Sequence, residues 1–382
     1  MTETTAVLIN LENCWRPLSQ NNGTFSDFEN MIKSLLEKTI LSNDKQVVFF
    51  FALTREPEFL PHVYEWLLIP LKRLLEYIGI NQLNFITWSA STDWLDLHIK
   101  YKGNIENISY KNITVCTPVQ YYMLWDHYRV RTSNQLTNKV PNQTADTCLL
   151  LTGKALSFHR MGLIDKFYKR GLMGRLQWSL FINDYVREHG REFVPGYTDE
   201  EYYKFLEDCE RYPDGAITHG SEAGEKGPHT GYPYDVKLFE NTSLSIISET
   251  KCERQYDSVV LTEKTWKTIS NNHPFIMVHV PGALKKLKEL GFRTFEEYML
   301  IKDYDSIVDT DARLNSVVDN MEYFLDNYAV NAENIVRDIQ HNYSRYQEYC
   351  AEEFGKINAR IAKHGVSAED FLFKFRTPDS DL

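Results

Sequence analysis

The stretch that decides the fold is residues 259–279, "VVLTEKTWKTISNNHPFIMVH". An apolar run closes on Thr262, Glu263, Lys264 and Thr265, a short helical pattern follows, and a second apolar run begins after His273 and Pro274. Two apolar runs joined through a helix describe a βαβ unit with parallel strands. In an open parallel sheet, ligands gather outside the carboxyl ends of the strands. There the next helix offers amide N–H groups and the positive end of its dipole. An acid beside a base at that point has two readings. Thr262 as N-cap with an acid in the first turn stabilises a helix and does no more. In the other reading, Lys264 and the amides from Thr262 to Thr265 take a diphosphate, while Glu263 accepts from both hydroxyls of a ribose.

Working upstream, "LFENTSLSIISETKCE" (238–253) is a strand ending at Ser248 and Glu249. Glu249 is either a second acid facing the same crevice or an ordinary surface glutamate at a strand end. Further upstream, "LLLTGKALSFHRMGLIDKFYKRGLMGR" (149–175) carries Lys154, His159, Arg160, Lys166, Lys169, Arg170 and Arg175 against one acid, Asp165. In a chain of net charge −11 this excess points to an anionic ligand. Lys154 and Arg160 follow the strand closely enough to meet phosphates. Lys166, Lys169 and Arg170 also fit a basic helix face in solvent. The segment is not a Walker A loop, because Cys148 and Ala155 stand where that loop needs Gly and Ser or Thr.

The βαβ logic extends over most of the chain. Apolar runs at 6–11, 46–53, 83–88 and 113–118 alternate with helical patterns at 25–38 and 61–77. A polar stretch at 131–146 interrupts them. Strands are then expected at 147–154, 176–182, 243–248 and 274–280, with helices at 158–170, 198–211, 262–270 and 282–290, the last closed by Gly291. Residues 213–236 are dense in Gly and Pro and read as loop. From 312 to 363 the pattern is helical. The expectation is an α/β protein with mainly parallel sheets: an N-terminal domain over 1–146, a C-terminal ligand-binding domain over 147–330, and a helical segment over 331–382.

Composition narrows the classes. At 382 residues, 43% hydrophobic and 13% aromatic, the chain has enough apolar matter for two folded cores. The acidic balance argues against a surface that holds duplex DNA by phosphate neutralisation alone. The six cysteines are scattered without a CxxC pair, which favours reduced thiols over a zinc site or disulfide framework. No export signal or membrane-spanning run is read, so a cytoplasmic location is expected. GxSxG, HExxH and GxGxxG are absent.

"LFEN" followed by "LTEKTWKTISNNHPFIMVHVPGALKKL" resembles the donor-binding motif of the alpha-1,3-fucosyltransferases. Residues 148–320 more broadly look like glycosyltransferases of bacteriophages, giant viruses and aquatic bacteria. The resemblance implies the GT-B architecture: two Rossmann-like domains, a nucleotide-sugar donor in the C-terminal one, and an acceptor in the cleft. No cofactor or essential metal is implied. Glu263 would bind the donor ribose, and Lys264, Lys154 and Arg160 the diphosphate. Ser248, Glu249, His159, Thr262 and Thr265 complete the expected donor site. His273 and Pro274 depart from the small residues of the fucosyltransferases, so fucose is not required. The phage-like kin make a hydroxymethylated pyrimidine of DNA a candidate acceptor, glucosylated or arabinosylated in a host cytoplasm. A glycan or protein competes, and Trp15, Trp88 and Trp94 are available to a glycan.

Two further questions follow. An attacking acceptor hydroxyl needs a general base, and Glu12, Glu56 and Asp93 each follow a strand of the first domain. "YMLIKDYDSIVDTD" (298–311) offers Asp303, Asp305, Asp309 and Asp311, spaced as in metal-dependent glycosyltransferases. They come after the parallel units have ended, so a solvated acidic loop without metal is the expectation. A silent nucleotide-sugar-binding protein is the alternative of another class.

Overall fold

The computed structural model describes residues 4–10, 30, 34, 46–53, 83–87, 113–116, 146–151, 157–179, 182, 184–211, 236–249, 252, 259 and 261–361. The chain divides into two compact units, Met1–Leu124 with Cys350–Leu382, and Trp125–Tyr349. The expected helices at 25–38 and 61–77 lie outside the described residues, apart from helical Asn30 and Ser34. So do the loop at 213–235, the candidate bases Glu12, Glu56 and Asp93, Lys154, and Trp15, Trp88 and Trp94.

The first unit contains a parallel sheet of β1 (Thr4–Asn10), β2 (Gln46–Leu53), β3 (Leu83–Thr87) and β4 (Ile113–Cys116), in that order across the sheet. Val7 stands opposite Phe49, Phe51 opposite Phe85, and Phe85 opposite Val115. These are the apolar runs read from sequence, rich in the β-branched and aromatic residues that suit a pleated surface.

The second unit runs β5 (Cys148–Leu151), α1 (Phe158–Lys169), β6 (Leu176–Ser179), α2 (Asp184–His189), α3 (Asp199–Arg211), α4 (Val236–Glu240), β7 (Leu244–Ser248), α5 (Glu263–Ser270), β8 (Phe275–Val278), α6 (Ala283–Glu289), α7 (Thr310–Asp326) and α8 (Tyr328–Ile361) as far as Tyr349, the rest of α8 belonging to the first unit. The sheet order is β6-β5-β7-β8, all parallel. From β5 the chain steps outward to β6, then returns to place β7 on the other side of β5. The order therefore reverses between β5 and β7, where doubly wound sheets open a crevice at their carboxyl ends.

Every residue of β7 and β8 is buried, which explains their unbroken apolar character. α1 contributes Met161, Leu163, Ile164 and Phe167 to the core and packs against α7, whose Leu314, Val317, Val318 and Met321 are buried; α7 also contacts β8. α5 packs near β7 and buries Trp266 beneath Phe292, ring centroids 5.7 Å apart at 61°. Tyr304 covers an N–H of β8, which lies at the sheet's edge: its hydroxyl accepts from the Met277 amide at 2.9 Å. Gly291 closes α6 as expected, at φ +91°, with its N–H on Lys288 O and the Phe292 N–H on Leu287 O.

Three features differ from expectation. α2 and α4 are helices that no periodic pattern announced, each too short to show one. The helical C-terminal stretch is two helices: α7 begins at the Asp309 cap, earlier than expected, and Asn327 separates it from α8. His273 is a structural joint. It is buried between the starts of β7 and β8, its Nε2 donating to Thr242 O at 2.8 Å and its Nδ1 bonded to Ser245 Oγ at 2.8 Å. It stands at the amino ends of the strands, away from the crevice, so its departure from the fucosyltransferase pattern carries no information about a sugar.

Candidate functional site

The chain leaves the carboxyl ends of β5, β7 and β8 towards α1, Glu249 and His279 respectively. Glu249 is wholly buried, not the surface glutamate that its strand-end position allowed. Its carboxylate accepts from the Thr262 amide at 3.0 Å, the Thr262 hydroxyl at 2.5 Å and the Thr265 hydroxyl at 2.6 Å. The start of α5 therefore already holds an anion, one supplied by the protein. The Thr262 hydroxyl in turn accepts from the Lys264 amide and from Lys264 Nζ, both at 3.4 Å. The helix cap read from sequence is real, and it is built from Glu249, Thr262, Lys264 and Thr265. Glu263 opens α5, but its side chain lies outside the described residues.

His159, in the first turn of α1, is buried and donates from Nε2 to the Glu249 carbonyl at 2.8 Å. That bond crosses the point where the strand order reverses. Burial pushes the His159 pKa down to about 3, with Arg160 next in effect and His279 and Lys264 adding to it. His159 is thus a neutral donor within the field of two cations. Arg160 is itself 3% exposed, a buried guanidinium at the same helix start. Ser248 ends β7, 1% exposed, and its hydroxyl has no hydrogen-bond partner among the described residues.

The two helix starts at this edge differ. α5 is capped by Thr262 and Glu249. α1 begins at Ser157 in extended backbone, with no side-chain cap and no acid in its first turn. Its first turn carries His159 and Arg160, where a carboxylate would complement the positive end of the helix dipole.

The basic segment divides along α1. Lys166 pairs with Asp311 at 2.7 Å, Lys169 with Asp165 at 2.9 Å, and Arg170 with Asp319 at 2.5 Å; Arg175 pairs with Asp326 at 2.9 Å and with Asp146. Asp311, Asp319 and Asp326 all belong to α7. The later cations are therefore largely matched by an acidic face, and among the described residues of the segment His159 and Arg160 stand at the crevice end.

The acidic stretch 303–311 is largely exposed, with Asp303, Asp309 and Asp311 at the surface, but three of its four acids have structural partners. Asp305 accepts from the Leu284 amide at 3.1 Å at the start of α6, Asp309 caps α7 through the Ala312 amide at 2.8 Å, and Asp311 is the partner of Lys166. Burial raises the Asp305 pKa to about 6. Among the described residues, no three His, Cys, Asp or Glu side chains assemble as a metal-binding group. None of the described helices is long and apolar enough to cross a membrane.

His279 was not a candidate from sequence, although it follows an apolar strand run just as Glu249 does. It is buried, and its Nδ1 accepts from the Val280 amide at 2.6 Å, so in the neutral ring the proton sits on Nε2.

No family model matches the chain, and no curated protein sequence matches it. Among solved structures, the α,α-trehalose 6-phosphate synthase from Burkholderia multivorans is similar over 84% of this chain and 68% of its own, at 9% identity and a TM-score of 0.34. A likeness that slight decides neither fold nor activity.

Proposed function

We propose that the chain is a GT-B glycosyltransferase that moves a sugar from a nucleoside diphosphate sugar to an acceptor hydroxyl. The observation that carries this reading is that Arg160 and Lys264 both act on the buried His159, whose Nε2–H is taken by the Glu249 carbonyl at the carboxyl edge between β5 and β7, beside a helix start with no side-chain cap among the described residues. Positive side chains and unopposed helix amides fit a diphosphate. In glycosyl transfer that diphosphate is the leaving group, and the same groups would stabilise its developing charge without a metal. Glu263 takes the ribose hydroxyls and Lys154 joins the phosphate contacts. Since α5 is capped by Glu249, the phosphates lie nearer α1 and the Lys264 side chain than the α5 amides. Glu12, Glu56 or Asp93 supplies the base. The resemblance to phage enzymes favours a hydroxymethylated pyrimidine of DNA as acceptor.

The test is release of nucleoside diphosphate from a panel of UDP-, GDP- and ADP-sugars, offered with DNA containing hydroxymethylcytosine or with glycans. Loss of a charge-assisted contact is worth roughly 1.5–3 kcal/mol, so Lys264→Ala and Glu263→Ala should each weaken donor binding about ten- to a hundredfold. Unchanged donor affinity in both variants would overturn the site. Binding without turnover on any acceptor would favour the silent sugar-nucleotide-binding protein. Activity that disappears with a chelator would return attention to Asp303 and Asp305.

A further inference from the structure

Arg313 occupies a costly position. Its side chain is 1% exposed and lies in the first turn of α7, where burial and the helix dipole both disfavour a cation. Its hydrogen bonds among the described residues go to uncharged groups: Nη1 donates to the carbonyls of Ile307 at 2.5 Å and Val308 at 3.4 Å, and Nη2 to Cys252 O at 2.7 Å and Cys252 Sγ at 3.3 Å. Asp305 feels its charge, yet the Asp305 carboxylate caps α6. A buried guanidinium held this way is a poor source of stability compared with an apolar side chain. What it does achieve is a join. Cys252 belongs to the stretch that leaves β7 just after Glu249, and its thiol donates to the carbonyl of His279, the first residue beyond β8, at 3.6 Å.

We propose that Arg313 is a positioning residue of the donor site. Its planar fork reaches the carbonyl and the sulfur of Cys252 together. Through Cys252 it holds the stretch leaving β7 against the stretch leaving β8. Glu249 and His279 are thereby kept in place, and with them the Thr262 cap that orients Lys264. Arg313 touches no ligand itself. This inference rests on the donor-site reading above.

The experiment compares Arg313→Met, which keeps an unbranched apolar stem and removes the donors, with Arg313→Lys, which keeps the charge but not the fork. Leu314→Ala serves as reference: the neighbouring side chain is fully buried, so its loss destabilises α7 without releasing Cys252. Melting temperature and the Kd of UDP, GDP and ADP are measured for each, well below the lowest melting temperature. Arg313→Met should weaken the nucleotide that the wild type binds by about tenfold or more, and Arg313→Lys by a smaller factor, while Leu314→Ala stays within roughly twofold. Should Arg313→Met fail to fold, weakening by Arg313→Lys that exceeds the effect of Leu314→Ala carries the inference, and equal effects overturn it. Wild-type-like affinity in a folded Arg313→Met overturns it as well, leaving the donor site standing. A wild type that binds none of the three nucleotides removes the donor site and this inference with it.

Discussion

The Glu249 carboxylate has three donors around it, the Thr262 amide and the hydroxyls of Thr262 and Thr265. An ionised carboxylate is acceptor-only, and here its acceptor capacity meets donors with no water between. Removing it leaves a buried amide and two buried hydroxyls to find partners, so Glu249→Ala should lower unfolding stability by about 3 kcal/mol or more. Thr265→Val removes one donor and keeps the shape, and should lower it by roughly 1–2 kcal/mol. Urea unfolding monitored by tryptophan fluorescence measures both. If Glu249→Ala unfolds at the wild-type midpoint, the carboxylate is not the support of α5 described here. From sequence, Glu249 was legible as a strand-end acid near Glu263. Its burial was not, because Thr262 lies 13 residues further on and no local pattern records that the two meet. Arg313 was illegible for the same reason, its partner Cys252 being 61 residues away.

At the scale of elements, α1 and α7 explain where most of the basic segment goes. Lys166, Arg170 and Arg175 face Asp311, Asp319 and Asp326, acids spaced along one side of α7. A charge count over residues 149–175 cannot see acids that arrive from a helix more than a hundred residues later. The partners of the exposed acidic stretch 303–311 are hidden for the reciprocal reason, since two of its members cap helices and a third answers Lys166. These roles differ in strength. Arg170 and Asp319 are 33% and 35% exposed, so solvent screens their pair, and Asp319→Ala should change stability by less than about 0.5 kcal/mol. Asp309→Ala deletes an N-cap, and should reduce stability by about 1 kcal/mol. Chemical denaturation of the two variants side by side checks the order; a larger effect from Asp319→Ala would mean that the α1–α7 pairs matter more than their exposure allows.

Across the whole molecule, the eight strands among the described residues all coincide with apolar runs of the sequence, and β7 and β8, buried at every residue, show why strands covered on both faces read as such runs. The order β6-β5-β7-β8, and with it the crevice, follows from no such run; it is a property of how the units pack. The buried histidines give that packing a pH signature. Burial holds His159 at about 3 and His273 at about 4, against about 6.5 for an unfolded chain. As pH falls below about 6.5, the unfolded state takes up protons that the folded state refuses. Their stabilisation is complete above that pH and is lost progressively towards the folded values. Asp305 has the opposite sign. Burial raises it to about 6, so the folded state keeps that proton more firmly and gains stability as pH falls from 6 towards the ordinary carboxylate range. Between pH 4.5 and 6 two histidines therefore oppose one carboxyl, and these groups together should make stability fall by roughly 1.4 kcal/mol per pH unit of acidification. His273→Gln removes one of the two. The variant loses the Ser245 and Thr242 contacts and is less stable at pH 7, but its disadvantage should shrink by roughly 1.4 kcal/mol for each unit of acidification through the same window. Urea midpoints measured at intervals from pH 7 to 4.5 read that difference directly. A constant gap between wild type and His273→Gln would show that His273 is not held neutral between the starts of β7 and β8.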